Sequence, residues 1–176
     1  MTRYNSALVT LHWLMAIMIF LALVAGGLIL DNMPNDSPDK AGGLAGHMAV
    51  GSLIGVLLIV RLIVRLTTAK PTPASTGNPL LDRLGALTHW AFYLCIAGMV
   101  LSGLATAIGA DLLPIAYGGS GATIPAMMEE LPQRALHGLF AITLVLLIGL
   151  HIAGALYHQF VLKDGLMRRM GFGKQQ

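Results

Sequence analysis

The chain has 176 residues, of which 56% are hydrophobic and only 11% charged, whereas soluble domains carry about a quarter charged residues. With a mean hydropathy of +0.74, this excludes an ordinary soluble enzyme domain and a disordered chain. The single cysteine, Cys95, excludes a disulfide scaffold and a Cys-rich metal site.

The charged residues are spaced so that four long stretches contain none. Residues 4–30, 41–60, 84–110 and 135–162 lack Asp, Glu, Lys and Arg over 27, 20, 27 and 28 positions. A membrane-spanning helix needs roughly 20 mainly apolar residues. Runs this long and continuous do not suit barrel strands. The pattern predicts an all-α integral membrane four-helix bundle, a single domain over residues 1–176. Its helices fall near residues 7–30, 41–66, 84–109 and 133–162.

The first span opens with His12-Trp13 and carries Gly26-Gly27 near its end. It is too long for the apolar region of a signal peptide, and no convincing cleavage site follows the glycines. A short loop, residues 31–40, leads to the second span, which carries His47, Gly51, Gly55 and Arg61. Then comes a linker with Lys70-Pro71-Thr72-Pro73. The third span holds His89-Trp90, an echo of His12-Trp13. The following loop contains the Gly118-Gly119-Ser120-Gly121 patch and a Pro125-led segment suited to a short surface helix. The fourth span carries His137, His151 and His158.

Lysine and arginine fix an expected orientation. One side has Arg3, Arg61, Arg65, Lys70, Arg83, Lys163, Arg168, Arg169 and Lys174; the other has only Lys40 and Arg134. By the positive-inside rule both termini are expected to be cytoplasmic. Topology thus accounts for the pI of about 9.3 without a nucleic-acid partner. The outer loops carry six carboxylates (Asp31, Asp36, Asp39, Asp111, Glu129, Glu130) against two cations, a net of −4.

All six histidines fall inside the spans. One intramembrane histidine often serves as a hydrogen-bonding contact between helices. Six in a small bundle mark a functional site, because ionisable groups are costly in lipid. They form two sets. His47 and His137 lie at the outer level, so a two-histidine site there must use both. His12, His89, His151 and His158 lie in the inner half. His137 and His151 are 14 residues apart, about 21 Å of rise and roughly 40° short of four turns, so one helix face offers an imidazole at each level. The same step leads from His47 to Arg61 and from His12 to Gly26. Gly51 and Gly55, near the His47 face, leave room for something flat or allow close helix packing.

Zinc prefers about four clustered ligands, usually with Cys or carboxylate; no carboxylate lies inside the spans with these histidines, and the lone Cys95 cannot complete such a set. Nucleophilic triads lack their acid there. Haem b needs two axial imidazoles from facing helices, an apolar slot and a cation near its propionates. Two haem b groups account for four histidines, and Arg61 suits a propionate. At the inner level His151 is the better ligand from the fourth span. His158 would put about 31 Å of helix rise between the irons. The partner of His151 is His12 or His89.

At this point the chain resembles the prokaryotic cytochrome b561 family. The resemblance rests on Leu11-His12-Trp13-Leu14, the His47 segment, the run from Arg61 to Leu66, His89 with Tyr93, His137, and Gly149-Leu150-His151 continuing to His158 and Lys163-Asp164. It covers about residues 4–170. It implies haem ligation by His12 with His151 and by His47 with His137. It also implies a superoxide:ubiquinone oxidoreductase in a bacterial inner membrane, taking electrons on the outer side and reducing ubiquinone near His158. The chain departs from the family in having Val100 where the third span commonly has proline. An anionic substrate such as superoxide meets an unfavourable average field outside, and Lys40 and Arg134 are the cations able to make a local basic entrance. Two other readings are a cytochrome b anchor for a soluble redox partner, disfavoured by the short loops, and a cofactor-free scaffold or transporter.

Overall fold

Asn5 starts the first helix, its side-chain oxygen accepting from the Ala7 N–H at 2.8 Å, which satisfies one of the unpaired donors of a helix N-terminus. The computed structural model describes residues 3–119 and 123–171. Ser120, Gly121 and Lys174 therefore lie outside the described residues. Helix α1 (Ser6–Val24) continues into a π-helical turn, Ala25–Leu30. There the Asp31 N–H reaches back five residues to the Gly26 carbonyl at 3.0 Å. Helix α2 (Lys40–Thr67) ends before the proline-containing linker, because proline cannot donate to a continuing helix.

Helix α3 (Pro79–Gly109) begins five residues earlier than the charge gap predicts. Asn78 caps it by accepting from the Leu80 N–H at 2.9 Å, and Pro79 occupies the first turn, where its missing N–H has no cost. Asp82 lies in that turn, where a carboxylate complements the helix dipole. It accepts from Ser75 Oγ and the Thr76 N–H, both at 2.7 Å, tying the linker to the helix. Charges at the membrane boundary thus belong to the helix rather than ending it.

A short helix α4 (Leu112–Tyr117) and a 3₁₀ turn (Ala126–Glu130) follow, the latter where the Pro125 segment predicts a short helix. Helix α5 (Pro132–Leu156) extends through a second π-helical turn, Tyr157–Leu162. There is no strand among the described residues. Four helical segments are long and apolar enough to cross a membrane: Ser6–Leu30, Lys40–Thr67, Pro79–Gly109 and Pro132–Leu162.

Helix α3 packs along α5, α1 along α2, and α2 against α3. The central core is Met15, Ile54, Leu58, Cys95, Ile96 and Leu144. Large apolar side chains point outward on every span, with Leu28, Leu94 and Leu146 about 70% exposed (70%, 74% and 69%). An apolar exterior of this extent matches a lipid solvent.

The two ends differ in charge. At the basic end the Tyr4 N–H donates to the Arg169 carbonyl at 3.2 Å and Trp13 Nε1 to the Met170 carbonyl at 2.9 Å. Arg169 also donates to the Thr72 carbonyl at 2.7 Å, joining the C-terminal segment to the α2–α3 linker. At the acidic end Ala107, Ala110, Leu112, Ile124 and Met128 form a second apolar cluster. The Ile124 N–H donates to the Asn35 carbonyl at 3.1 Å, and Tyr117 Oη donates to the Ala45 carbonyl at 2.8 Å. The loops of that end are therefore joined into a cap.

Candidate functional site

Helices α2 and α5 bring His47 and His137 together with ring centroids 6.2 Å apart. Helices α1 and α5 bring His12 and His151 to 6.1 Å. Two imidazoles bound to opposite sides of one metal, with bonds of about 2 Å, have centroids roughly 6 Å apart. Both pairs use the face of α5 that carries His137 and, 14 residues on, His151. No group of three His, Cys, Asp or Glu side chains converges as for a metal ion among the described residues.

Each ring at the acidic end is backed by a glycine. A Cβ on Gly26 would lie 3.0 Å from His47 Cε1, and one on Gly103 would lie 3.0 Å from His137 Cε1. The π-helical turn of α1 supplies Gly26, and α3 supplies Gly103. His137 Nδ1 donates to the Met99 carbonyl at 3.0 Å. It also lies 3.3 Å from Ser102 Oγ, whose own proton goes to the Gly98 carbonyl at 2.6 Å. This fixes the tautomer with the proton on Nδ1 and the lone pair on Nε2, as a metal-binding imidazole requires. His47 Nδ1 is buried with no hydrogen-bond partner. A cleft beside these rings is lined by Ile19, Ala22, Gly51, Ile54 and Leu144. A Cβ on Gly51 would meet nothing within 4 Å, whereas one on Gly55 would lie 2.9 Å from Val100. Gly51 leaves open space and Gly55 allows close packing of α2 on α3, so the two glycines have different roles.

At the basic end His151 has two imidazole neighbours. His89 is nearer than His12, with centroids 5.5 Å apart. His89 Nδ1 donates to the Gly85 carbonyl at 2.7 Å, leaving its Nε2 lone pair free. His12 Nδ1 lies 3.5 Å from Arg61 Nη2, at the long limit of a hydrogen bond. Arg61 Nη1 donates to the Leu8 carbonyl at 3.0 Å. Arg65 sits 5.8 Å from the ring centroids of both Trp90 and Tyr93, within cation–π range. Neither arginine has a carboxylate partner among the described residues. His158 stands apart from the imidazole groups and donates through Nδ1 to Asp164 Oδ2 at 2.6 Å.

The model for prokaryotic cytochrome b561 matches residues 3–173. The chain belongs to that family. No curated protein matches the sequence. As a cytochrome b561 family member, the protein is a multi-pass membrane protein of the haem b electron-transfer class. The residues present fit that cofactor. Imidazole pairs from different helices lie about 6 Å apart (6.2 and 6.1 Å), a buried ring nitrogen of His47 is unpartnered, and guanidinium groups with no carboxylate partner among the described residues lie at one end.

The two acidic-end cations do not form a free basic entrance. Lys40 is buried, its ammonium donating to the Met33 carbonyl at 2.6 Å and to Asn35 Oδ1 at 2.7 Å. Arg134 is paired with Asp31 at 2.6 Å and Glu129 at 3.5 Å. Sequence reading missed Gly103 and Ser102, and took Asp164 only as part of the family resemblance. The first two act across a helix interface, and only Asp164 carried a local signal, the turn-forming Asp164-Gly165.

Proposed function

We propose that the chain holds two haem b groups and passes electrons from a donor at the acidic end to ubiquinone at the basic end. His47 with His137 would hold one haem iron, and His12 with His151 the other. The observation that supports this best is the near-equal spacing of the two pairs, 6.2 and 6.1 Å, on one face of α5. His12 is preferred to His89 because the His89–His151 spacing of 5.5 Å is short for a shared metal. The positive-charge asymmetry supports a cytoplasmic basic end in a bacterial inner membrane.

Haem b, when bound, supplies one-electron chemistry at an iron held by two imidazoles. The Met99 carbonyl and Ser102 orient the His137 ring, and glycines 26, 51 and 103 clear space around the acidic-end pair. Ile54 and Leu144, buried between the two levels, keep water from the path. Arg61 offers a propionate a cation in a partly buried setting, where such contacts are strongest. His158 lies seven residues beyond His151 and is left to contact quinone at the lipid boundary.

Superoxide is the donor that the family resemblance implies. With Lys40 and Arg134 already satisfied and the outer loops at a net of −4 with both counted, the acidic end adds no field to speed its capture. The test is anaerobic oxidation of the reduced protein by ubiquinone, and reduction of the oxidised protein by enzymatically generated superoxide with and without superoxide dismutase. Oxidation by ubiquinone with no dismutase-sensitive reduction would keep the quinone-linked carrier and remove superoxide.

A further inference from the structure

The strongest unassigned feature is at the basic end, outside the paired imidazoles. The π-helical turn Tyr157–Leu162 ends where Lys163 and Gly165 adopt positive φ of 54° and 72°. That reversal brings Asp164 back onto His158, six residues earlier, at 2.6 Å. The same carboxylate accepts from the Leu166 N–H through its other oxygen at 2.9 Å. The side chains are 13% exposed for His158 and 27% for Asp164, so the imidazole is the covered partner and the carboxylate reaches the surface.

A carboxylate can only accept, so the Nδ1 of His158 carries the proton and Nε2 is left for another partner. We propose that Asp164 is a positioning residue that orients His158 and holds a proton on it for delivery to ubiquinone through Nε2. The proposal rests on the quinone reading above. Reducing one ubiquinone to ubiquinol takes two electrons, which come from the donor through the haems, and two protons. In the proposed step the Nε2–H bond of the imidazolium breaks and an O–H bond forms on the quinone oxygen. The imidazole then regains a proton from water at the basic end.

The surrounding charges are consistent with this assignment. Asp164 is held below the usual carboxylate range: burial opposes ionisation, but the hydrogen bonds from His158 and the Leu166 N–H outweigh it, and Arg169 adds to them. From α3, Asp82 is the further carboxylate on this side, and its oxygens are taken by Ser75 and Thr76. Tyr157 lies with its ring centroid 6.3 Å from that of His158. Lys163 and Arg168 border the adjoining surface hollow with Asp164.

The test uses Asp164→Asn in the haem-loaded protein. Asparagine keeps an oxygen for the Leu166 N–H, so its NH₂ faces His158 Nδ1 and the charge is lost. The readouts are the reduced-minus-oxidised spectrum, the affinity for a short-chain ubiquinone by calorimetry, and stopped-flow oxidation of the reduced protein by that quinone across pH. The expected result is an unchanged spectrum and affinity, with oxidation by the quinone slowed by roughly tenfold or more, the scale of an impaired proton delivery. Asp164→Glu, which retains a carboxylate, is expected to keep most of the wild-type rate. An Asn variant oxidised at the wild-type rate overturns the proposal, as does a Glu variant slowed as far as the Asn variant. Wild-type haems that ubiquinone does not oxidise overturn the quinone reading itself, and this proposal with it.

Discussion

At the acidic end His47 and His137 stand alone at their level, each backed by a glycine, while at the basic end His151 has both His12 and His89 within reach. The acidic-end pair is specified by exclusion. No other imidazole is available, and Gly26, Gly103 and Met99 hold the two rings in place. The basic-end group is specified by competition among three imidazoles beside two arginines that have no carboxylate partner among the described residues. The acidic-end pair has no alternative, whereas at the basic end ring spacing separates His12, at 6.1 Å from His151, from His89, at 5.5 Å.

The largest expected effects follow from that difference. His47→Ala or His137→Ala should remove one haem completely and leave the other spectrum intact. His12→Ala and His151→Ala should each remove the basic-end haem, and His89→Ala should leave it bound. Haem content and low-temperature spectra of the purified variants check this. A basic-end haem retained in His12→Ala but lost in His89→Ala would show that His89 is the ligand.

The glycine backing sharpens the comparison at the next level. Gly103→Val places branched carbon where even a Cβ would lie 3.0 Å from His137. The ring is tied to the Met99 carbonyl and has little freedom to retreat. We expect the acidic-end haem to be lost or bound at least about tenfold more weakly, roughly 1.4 kcal/mol, with the basic-end haem unaffected. Haem-retention assays on the two bands would read the difference.

Arg61→Gln tests the opposite end. Removing a cation favours the oxidised haem, so the basic-end potential should fall, on the order of 60 mV or about tenfold for one electron. The acidic-end potential should stay in place. The smallest expected effect is that of Ser102→Ala. The His137 Nδ1–H then keeps the Met99 carbonyl but loses its second acceptor. The acidic-end potential should rise by less than about 40 mV, corresponding to a hydrogen bond worth about 1 kcal/mol. Spectroelectrochemical titration resolves both shifts.

The spans and the two histidine levels were legible because lipid imposes long charge gaps and because a 14-residue step returns nearly to one helix face. The start of α3 was misplaced, although Asn78-Pro79 carries a capping signal, because Asp82 and Arg83 mark the membrane boundary rather than the helix boundary. The two π-helical turns had no sequence signature, yet one of them presents Gly26 to His47. Gly103 and Ser102 were hidden for a different reason. Their contact with His137 depends on the register of α3 against α5, which tertiary packing sets and local sequence does not encode. Gly51 and Gly55 looked equivalent in sequence, and only packing separates the open position from the one filled by Val100.

Two independent haem b sites at two levels of α5 require two haems in each chain. Pyridine haemochrome analysis of fully loaded, purified protein, set against quantitative amino-acid analysis, tests it most directly. The wild type should hold two b-type haems per chain, and His47→Ala one. One haem per chain in the wild type, or loss of both from a folded His47→Ala protein, would contradict it.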